Sequence, residues 1–347
     1  MNLNEIKRME THAHSMYSNI RLLDSICRPK DLILTAARLN LSGICLTDHE
    51  CLCGAIEWLN LEKELKENEK IPQDFKCGIG NEIYLTDTRE SKQKYYHFIL
   101  IAKDTTGFRQ LCELSSNSWY YSYHDRGMER VPTLKKDLKN IISKNPGHII
   151  ATTACIAGEC PQKVLKYLDA KKRNNHSDMD ESREEINNFL SFCKDLFLDD
   201  FYIEVAPSTD KEQIAYNKQI ISIAKAYDIK MIFGCDAHYL KKEDRFIHKA
   251  YLNSKEGERE VDSFYLFAHL MDNNEAFEYL SKSYDENKFI ELCNNSMEIF
   301  NKIETYNIFR NPIIPQVEVK NYLKRPDISN FLSIYPIISM GIGDWGL

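Results

Sequence analysis

Seven short runs rich in β-branched and aromatic residues, each separated from the next by a longer stretch with helical spacing, constrain this chain more than any other feature. The runs are KRMETHA (7–13), GICLTD (43–48), FKCGIGNEIYL (75–85), YYHFILIA (95–102), HIIATTA (148–154), FYIEVA (201–206) and KMIFGCD (230–236). Apolar residues recur at helical spacing over 29–40, 54–68, 106–121, 133–144, 161–172, 181–196 and 211–227, and the first of these opens with Pro29 and Asp31 in its first turn. Strands that alternate with helices in this way build a parallel α/β sheet. Seven strands within about 240 residues match the length of a (β/α) barrel, and no glycine-rich dinucleotide fingerprint opens any unit. The expected fold class is therefore α/β, a distorted barrel rather than an open sheet.

Beyond the seventh run the pattern changes. Residues 241–303 read as helices with a polar break over 254–262, and 306–347 carry four prolines with little helical period. This gives an expected division into a barrel over 1–252, a helical extension over 253–305 and a tail or linker over 306–347. The segment 169–185 (DAKKRNNHSDMDESREE) is almost wholly polar and is expected as an exposed loop or a charged helix start.

Composition narrows the function classes. No stretch approaches the ~20 apolar residues of a membrane helix, and the N-terminus lacks the basic-then-apolar layout of a signal peptide. The eleven cysteines are odd in number, irregular in spacing and without a CxxC, so the expected location is a reducing cytoplasm, with most thiols packed as small apolar groups. A net charge of -7 argues against wholesale coating of nucleic acid. It leaves room for a site that takes positive charge from metal ions.

The first candidate for such a site is Thr11-His12-Ala13-His14-Ser15, because a strand's period of two turns both imidazoles to one face. His-x-His alone is equally at home on a surface or in a hydrogen-bonded core. Company at the ends of other strands decides the matter: Thr47-Asp48-His49, Cys155, and Asp236-Ala237-His238. In α/β barrels the C-terminal strand ends converge on one mouth. His12, His14, His49, His97 and His238 thus belong to one cluster, whereas His124, His148, His176, His248 and His269 carry no functional signal.

Glu82 and His97 need a separate argument, since His97 begins its apolar run. The intervening residues are symmetric about Arg89 and Glu90, so an antiparallel pairing would set Glu82 opposite His97 and let both reach one metal. The competing reading caps a strand with Glu82 and packs His97 among Tyr95, Tyr96 and Phe98. Cys155 reads either as a buried small hydrophobe or as a thiolate ligand, and its position just past a strand favours the ligand. Cys51 and Cys53 lack a second cysteine pair at zinc-site distance and are read as core.

With these residues assembled, the sequence resembles the polymerase and histidinol phosphatase (PHP) family, in particular the PHP domain of bacterial and phage DNA polymerase III alpha subunits. The matching stretches are THAHSMYS, RLLDSI, GICLTDHECLCGA, GNEIYL, YYHFILIAKDTTGFRQLCELSS, TACIAGECP, FYIEV and GCDAHYL, which cover nearly all of residues 9–240 in order. The resemblance implies a distorted (β/α)7 barrel with a C-terminal helical extension and up to three metals. It also implies the ligand set His12, His14, Asp24, His49, Glu82, His97, Cys155, Asp236 and His238. Asp24 lies in RLLDSI, where the spacing from Tyr17-Ser18 is longer than the common family form and Ser25 stands where Gly is frequent.

Nine N, O and S donors suit two to three divalent ions, Zn²⁺ foremost, with Mn²⁺ or Fe as alternatives. Such ions activate water at a pKa near ~7 and neutralise phosphate oxygens, and Asp48 is expected to orient His49 or the activated water without binding metal itself. Three activities compete: a 3′-to-5′ exonuclease acting on a DNA 3′ end beside a polymerase core or other replisome subunits, a histidinol-phosphatase-like phosphoesterase, and a non-catalytic scaffold. The full ligand set disfavours the scaffold. The insertion over 104–147 and the helical continuation favour the polymerase-associated reading, and the basic helix TLKKDLKNIISK is a candidate path for a nucleic acid strand. No polymerase palm pattern occurs before Leu347, so the chain is expected not to extend a primer by itself.

Overall fold

The computed structural model describes residues 2–20, 23–90, 94–125, 128–254 and 264–311. The chain divides into two compact units, Met1–Asn307 and Ile308–Leu347, and only the first four residues of the second are described. The expected tail, from 312 on, and all but the first residue of the expected polar break at 254–262 lie outside the described residues.

Among the described residues there are ten strands: β1 (Met9–Glu10), β2 (Gly43–Leu46), β3 (Lys76–Thr86), β4 (Tyr96–Ala102), β5 (Tyr123–Asp125), β6 (Met128–Arg130), β7 (Pro132–Leu134), β8 (Ile149–Thr152), β9 (Phe201–Val205) and β10 (Lys230–Phe233). Ten α-helices accompany them: α1 (Pro29–Arg38), α2 (Ala55–Glu67), α3 (Thr105–Tyr120), α4 (Lys135–Ile142), α5 (Glu159–Lys172), α6 (His176–Phe197), α7 (Lys211–Tyr227), α8 (Arg245–Leu252), α9 (Asn273–Leu280) and α10 (Glu286–Lys302). The sheet runs β1-β2-β3-β4-β8-β9-β10, with β7 added beside β3. Its edges meet beyond the strand ends, where a parallel bridge joins Ala13 to Ala237. His14 N and Ala237 N donate across that seam to Ala237 O and His12 O. The curled sheet is the expected barrel, with all seven apolar runs as its staves.

One stave is reversed. β4 is antiparallel to both β3 and β8. The expected pairing across the 83–96 loop is therefore present, but its register is shifted by two residues: Glu82 faces Ile99, and Tyr84 faces His97. A shift of two preserves the side-chain face. Glu82 and His97 still share the inner surface as diagonal neighbours, within reach of each other. Because β4 runs backwards, its beginning lies at the mouth, which is why His97 opens its apolar run.

The structure departs from expectation in one further place. Residues 122–134 hold the short strands β5, β6 and β7, so the helix expected from 133 begins at Lys135. The polar segment 169–185 takes the second of its two expected forms, a charged helix start: α5 runs through Lys172 and α6 begins at His176, capped by the Asn175 side chain on Asp178 N.

Strands buried on both faces hold the core. Ile99, Leu100 and Ile101 are fully buried, as are Ile150, Ile203 and Ile232. Each such side chain contributes about 1.5–3 kcal/mol relative to exposure. The helices expected to follow the barrel close its floor. From α10, Ser296 accepts from Met9 N at 3.1 Å and Asn295 donates to Met231 O at 2.7 Å. Past its end, the Tyr306 hydroxyl donates to Ala102 O and accepts from Ile79 N.

One buried ion pair fixes the strand that carries His12. Arg8 donates to Glu10 Oε2 at 2.7 Å, to Asn273 Oδ1 and to Met271 O, and its guanidinium lies 4.5 Å from the Phe233 ring centroid. The other oxygen of Glu10 accepts from His12 N and Cys235 N. β1, β10 and the start of α9 are thereby locked together below the mouth.

Candidate metal centre

At the mouth the strand ends deliver their polar side chains to one buried volume. Among the described residues, three groups have donor atoms within 4.8 Å of one another: His14, Asp24, His49 and His238; His12, His14, Glu82 and Asp236; and His49, Glu82 and His97. Eight of the nine expected ligands fall in these groups, and His14, His49 and Glu82 each belong to two. The ninth, Cys155, sits beside them with Sγ 3.5 Å from His97 Nδ1.

The distances within the groups are short. Asp236 Oδ1 lies 3.1 Å from His12 Nε2 and 3.3 Å from His14 Nε2, while Glu82 Oε2 lies 3.1 Å from both His14 Nε2 and His49 Nδ1. Asp24 Oδ2 is 3.1 Å from His238 Nε2 and 3.3 Å from His49 Nε2. Yet Asp24 Oδ2, His49 Nδ1, Glu82 Oε2, Asp236 Oδ1 and His238 Nε2 are all buried without a hydrogen-bond partner. Buried polar atoms are normally satisfied, so five orphans gathered at the mouth within these adjoining groups call for cations. The residues present fit divalent metal, since imidazole and carboxylate are its common donors.

The outer hydrogen bonds turn each ring toward these groups. His12 Nδ1 is held by Glu204 Oε1 at 2.5 Å, and Glu204 Oε2 accepts from the Thr152 hydroxyl at 2.7 Å. His238 Nδ1 donates to Asp236 O at 2.7 Å. The Ser18 hydroxyl gives its proton to Asp48 Oδ1, so its oxygen accepts from His14 Nδ1 and from His49 N, both at 3.1 Å. Tyr265 donates to the remaining oxygen of Asp24 at 2.7 Å.

Asp48 stands outside the three ligand groups. Its carboxylate accepts from Ser15 N, Ser15 Oγ and Ser18 Oγ, and through Ser18 it reaches both His14 Nδ1 and His49 N. Glu204 was not anticipated from sequence. Its signal is a lone carboxylate within the otherwise apolar FYIEV run.

Electrostatics match this geometry. Burial alone would raise the carboxyls, but His238 and His49 hold Asp24 well below its usual range. His97, His49 and His12 do the same for Glu82, and His12 and His238 for Asp236. Burial would lower His14, yet Asp236 and Glu82 push it up to about 10, and the neighbouring carboxylates likewise raise His12. Burial lowers His49 and raises the Cys155 thiol.

Backbone strain gathers at the same mouth. Asp236 (φ 49°), Ala154 (φ 57°) and Glu50 (φ 55°) occupy the left-handed region, which costs a non-glycine residue on the order of 1–3 kcal/mol. Gly234 meets the opposite demand, for a Cβ there would sit 2.8 Å from both Glu204 Oε1 and His12 Cβ. A cavity of about 150 Å³ opens beside the centre against Asp236, Cys155, Ser208 and Phe267.

Comparison with known proteins agrees with this architecture. The family model described as PHP domain matches residues 10–208. The chain is 41% identical over 326 residues to the DNA-directed DNA polymerase of Bacillus phage SPbeta, covering 90% of this chain and 25% of that protein. It is 29% identical to the DNA polymerase III subunit alpha of Borreliella burgdorferi and 28% identical to that of Aquifex aeolicus, in each case over 89% of this chain and 25% of the relative. The chain thus spans about a quarter of the length of these curated relatives. With a matched stretch that runs from the first strand past the ninth, and with DNA polymerases as its relatives over most of its length, the chain belongs to the PHP domain family.

Proposed function

We propose that this chain is a metal-dependent phosphodiesterase that removes nucleotides from the 3′ end of DNA. The observation that carries the reading is the convergence of five buried, unpartnered donor atoms within a cluster of eight candidate ligands. Divalent ions held there supply two things, an activated water near neutral pH and positive charge for the phosphate oxygens. His12, His14, Asp24, His49, Glu82, His97, Asp236 and His238, with Cys155 at the edge, are the residues that would hold two or three such ions, Zn²⁺ foremost.

The chain's own groups set the conditions. Glu204, Ser18 and the Asp236 carbonyl each hold the Nδ1 proton of a histidine, so that the Nε2 lone pairs of His12, His14 and His238 would face inward once bound cations displace any proton there. Asp24, Glu82 and Asp236 stay ionised and would repel a phosphodiester if no cations balanced them. The cavity against Asp236 and Cys155 offers room for part of the terminal nucleotide.

The DNA half rests on the relatives, which are DNA polymerases. On this reading the partners are the DNA 3′ end and a polymerase core or other replisome subunits. Among the described residues no helix is long and apolar enough to cross a membrane. A frayed or mismatched terminus is the better substrate because the last nucleotide must leave its stack to enter a recessed mouth.

The test compares release of mononucleotides from 3′-labelled and 5′-labelled oligomers with hydrolysis of histidinol phosphate, in the parent chain and in Asp236→Asn and His238→Ala. The expected result is stepwise loss from the 3′ end that both substitutions abolish. Hydrolysis of the monoester alone would replace this reading with a small-molecule phosphatase. No turnover of either substrate by a metal-loaded chain would leave a structural role.

A further inference from the structure

Aromatic rings paired with cations climb away from the metal centre along the side of the mouth built by β3, β4 and the β5–β6 hairpin. The period of two places Tyr84 on the inner face with Glu82. Its ring lies 4.9 Å from that of His97 and 5.6 Å from that of His49. Tyr95, two residues before His97, follows on the same face, and its hydroxyl meets that of Tyr123 on β5. Arg130, the register partner of Tyr123, stands 5.9 Å from the Tyr95 ring centroid. Further out, Arg89 lies 4.8 Å from the Tyr121 ring centroid, and Tyr121 and Tyr120 are 50% and 81% exposed.

Two features show that this strip is not ordinary surface. Tyr120 and Tyr121 form an exposed aromatic pair with ring centroids 4.9 Å apart, and it adjoins a guanidinium group in a chain of net charge -7. The Nε atoms of Arg130 and Arg89 are also buried with no hydrogen-bond partner. Arg89 has Asp137 at 3.0 Å, but among the described residues no carboxylate pairs with Arg130. A guanidinium beside a ring, with hydrogen-bonding capacity left over, is suited to a ligand that carries both flat π-faces and anions.

We propose that this strip is the track for an unpaired DNA strand on its way to the metal centre, with bases stacked on Tyr121 and Tyr95 and phosphates drawn to Arg130 and Arg89. Single strands are bound in this manner because every base has a π-face and the backbone follows positive charge. A duplex hides those faces and cannot use the rings. The inference rests on the proposed exonuclease reading and supplies its substrate-delivery surface.

Binding is measured without turnover, by fluorescence anisotropy of a labelled oligodeoxythymidylate of about 12 nucleotides, blocked by phosphorothioate linkages at its 3′ end, with the full metal-loaded chain. Tyr121→Ala and Arg130→Gln are each expected to weaken binding about fivefold or more. Arg130→Gln should also lower the salt slope by about 0.7, while Tyr121→Ala leaves the slope unchanged. Phe246→Ala, on α8 outside the strip and 81% exposed, should bind like the parent. Tyr121 is exposed enough for its variant to fold, which a melting curve checks, so the test survives loss of Arg130→Gln. No binding by the parent, parent-like affinity in the folded variants, or equal competition by blunt duplex would each overturn the proposal. Binding through the strip without nucleotide release would remove the hydrolytic reading and leave this one standing.

Discussion

Replacing Glu204 by Gln tests whether the metal centre depends on a residue that is not itself in reach of the ions. Glu204 is buried, with one oxygen 2.5 Å from His12 Nδ1 and the other accepting from Thr152 at 2.7 Å. Glutamine keeps the volume but has one carbonyl oxygen for two donors. If that oxygen stays with His12, the charge-assisted bond becomes a neutral one of roughly half the strength. If it turns to Thr152, an NH₂ group faces the Nδ1 proton and favours the tautomer that points a proton, not a lone pair, at Asp236 and Glu82. Loss of such an orienting carboxylate typically costs 10–100-fold in metal affinity, about 1.4–2.7 kcal/mol. Because metal binds only the folded chain, the same amount disappears from metal-dependent stability at a fixed free-metal level. The assay is a melting series in buffered Zn²⁺ or Mn²⁺, with the dissociation constant taken from competition with a chelator. The metal-free variant should lose only what the weakened His12 bond contributed, about 1 kcal/mol, so the metal-dependent part is read as the difference between the metal-loaded and metal-free curves. A dissociation constant within about twofold of the parent would show that packing alone orients His12 and would refute the reasoning.

The same geometry fixes three further outcomes. Chelation should lower the melting temperature, by an amount equivalent to about 2.7 kcal/mol when free metal stood at 100 times its dissociation constant, and the double variant His12→Ala, His14→Ala should respond less to chelator than the parent. Arg8→Met leaves Glu10 buried without its partner and should cost about 3–5 kcal/mol in urea unfolding, whereas replacing both residues with apolar ones should recover much of it. Asp104 caps α3 by accepting from Thr106 N and Gly107 N, so Asp104→Ala should cost about 1 kcal/mol near pH 7. Burial would raise its carboxyl, but the Gly107 N–H and His148 hold it below its usual value. Its contribution is therefore full above the unfolded carboxyl's pKa near ~4 and fades as pH falls through the lower folded value, where the parent and variant unfolding curves should converge.

The elements readable from sequence are those whose burial is periodic. All seven barrel staves appear where β-branched runs occur, because a strand covered on both faces leaves few positions for polar residues. The hairpin strands YHD and MER have no such pattern; they are three residues long and half exposed, and what pairs them is the chain on either side. The two-residue error in the β3–β4 register has a similar cause. Symmetry about the loop locates the hairpin but not the alignment, which depends on how β4 fits against β8 as well. In the centre, histidines and aspartates next to strand ends were legible because the barrel sends all such ends to one place. Glu204 and the link from Asp48 through Ser18 to His14 were not, since serine and a strand glutamate acquire their roles only from neighbours distant in sequence. Tyr265, 241 residues from the Asp24 it contacts, carries no local signal at all.

Gly234 turns the crowding around His12 into a practical lever. Ligand substitutions remove a donor and change the charge of the cluster at the same time, so a lost activity never says which of the two mattered. A single methyl at position 234 would instead collide with the Glu204 carboxylate and with the His12 side chain, 2.8 Å from each, while every donor atom and every charge remained present. The position separates possession of the right groups from their alignment. It makes one of the least chemically eventful residues in the barrel the most discriminating place to disarm it.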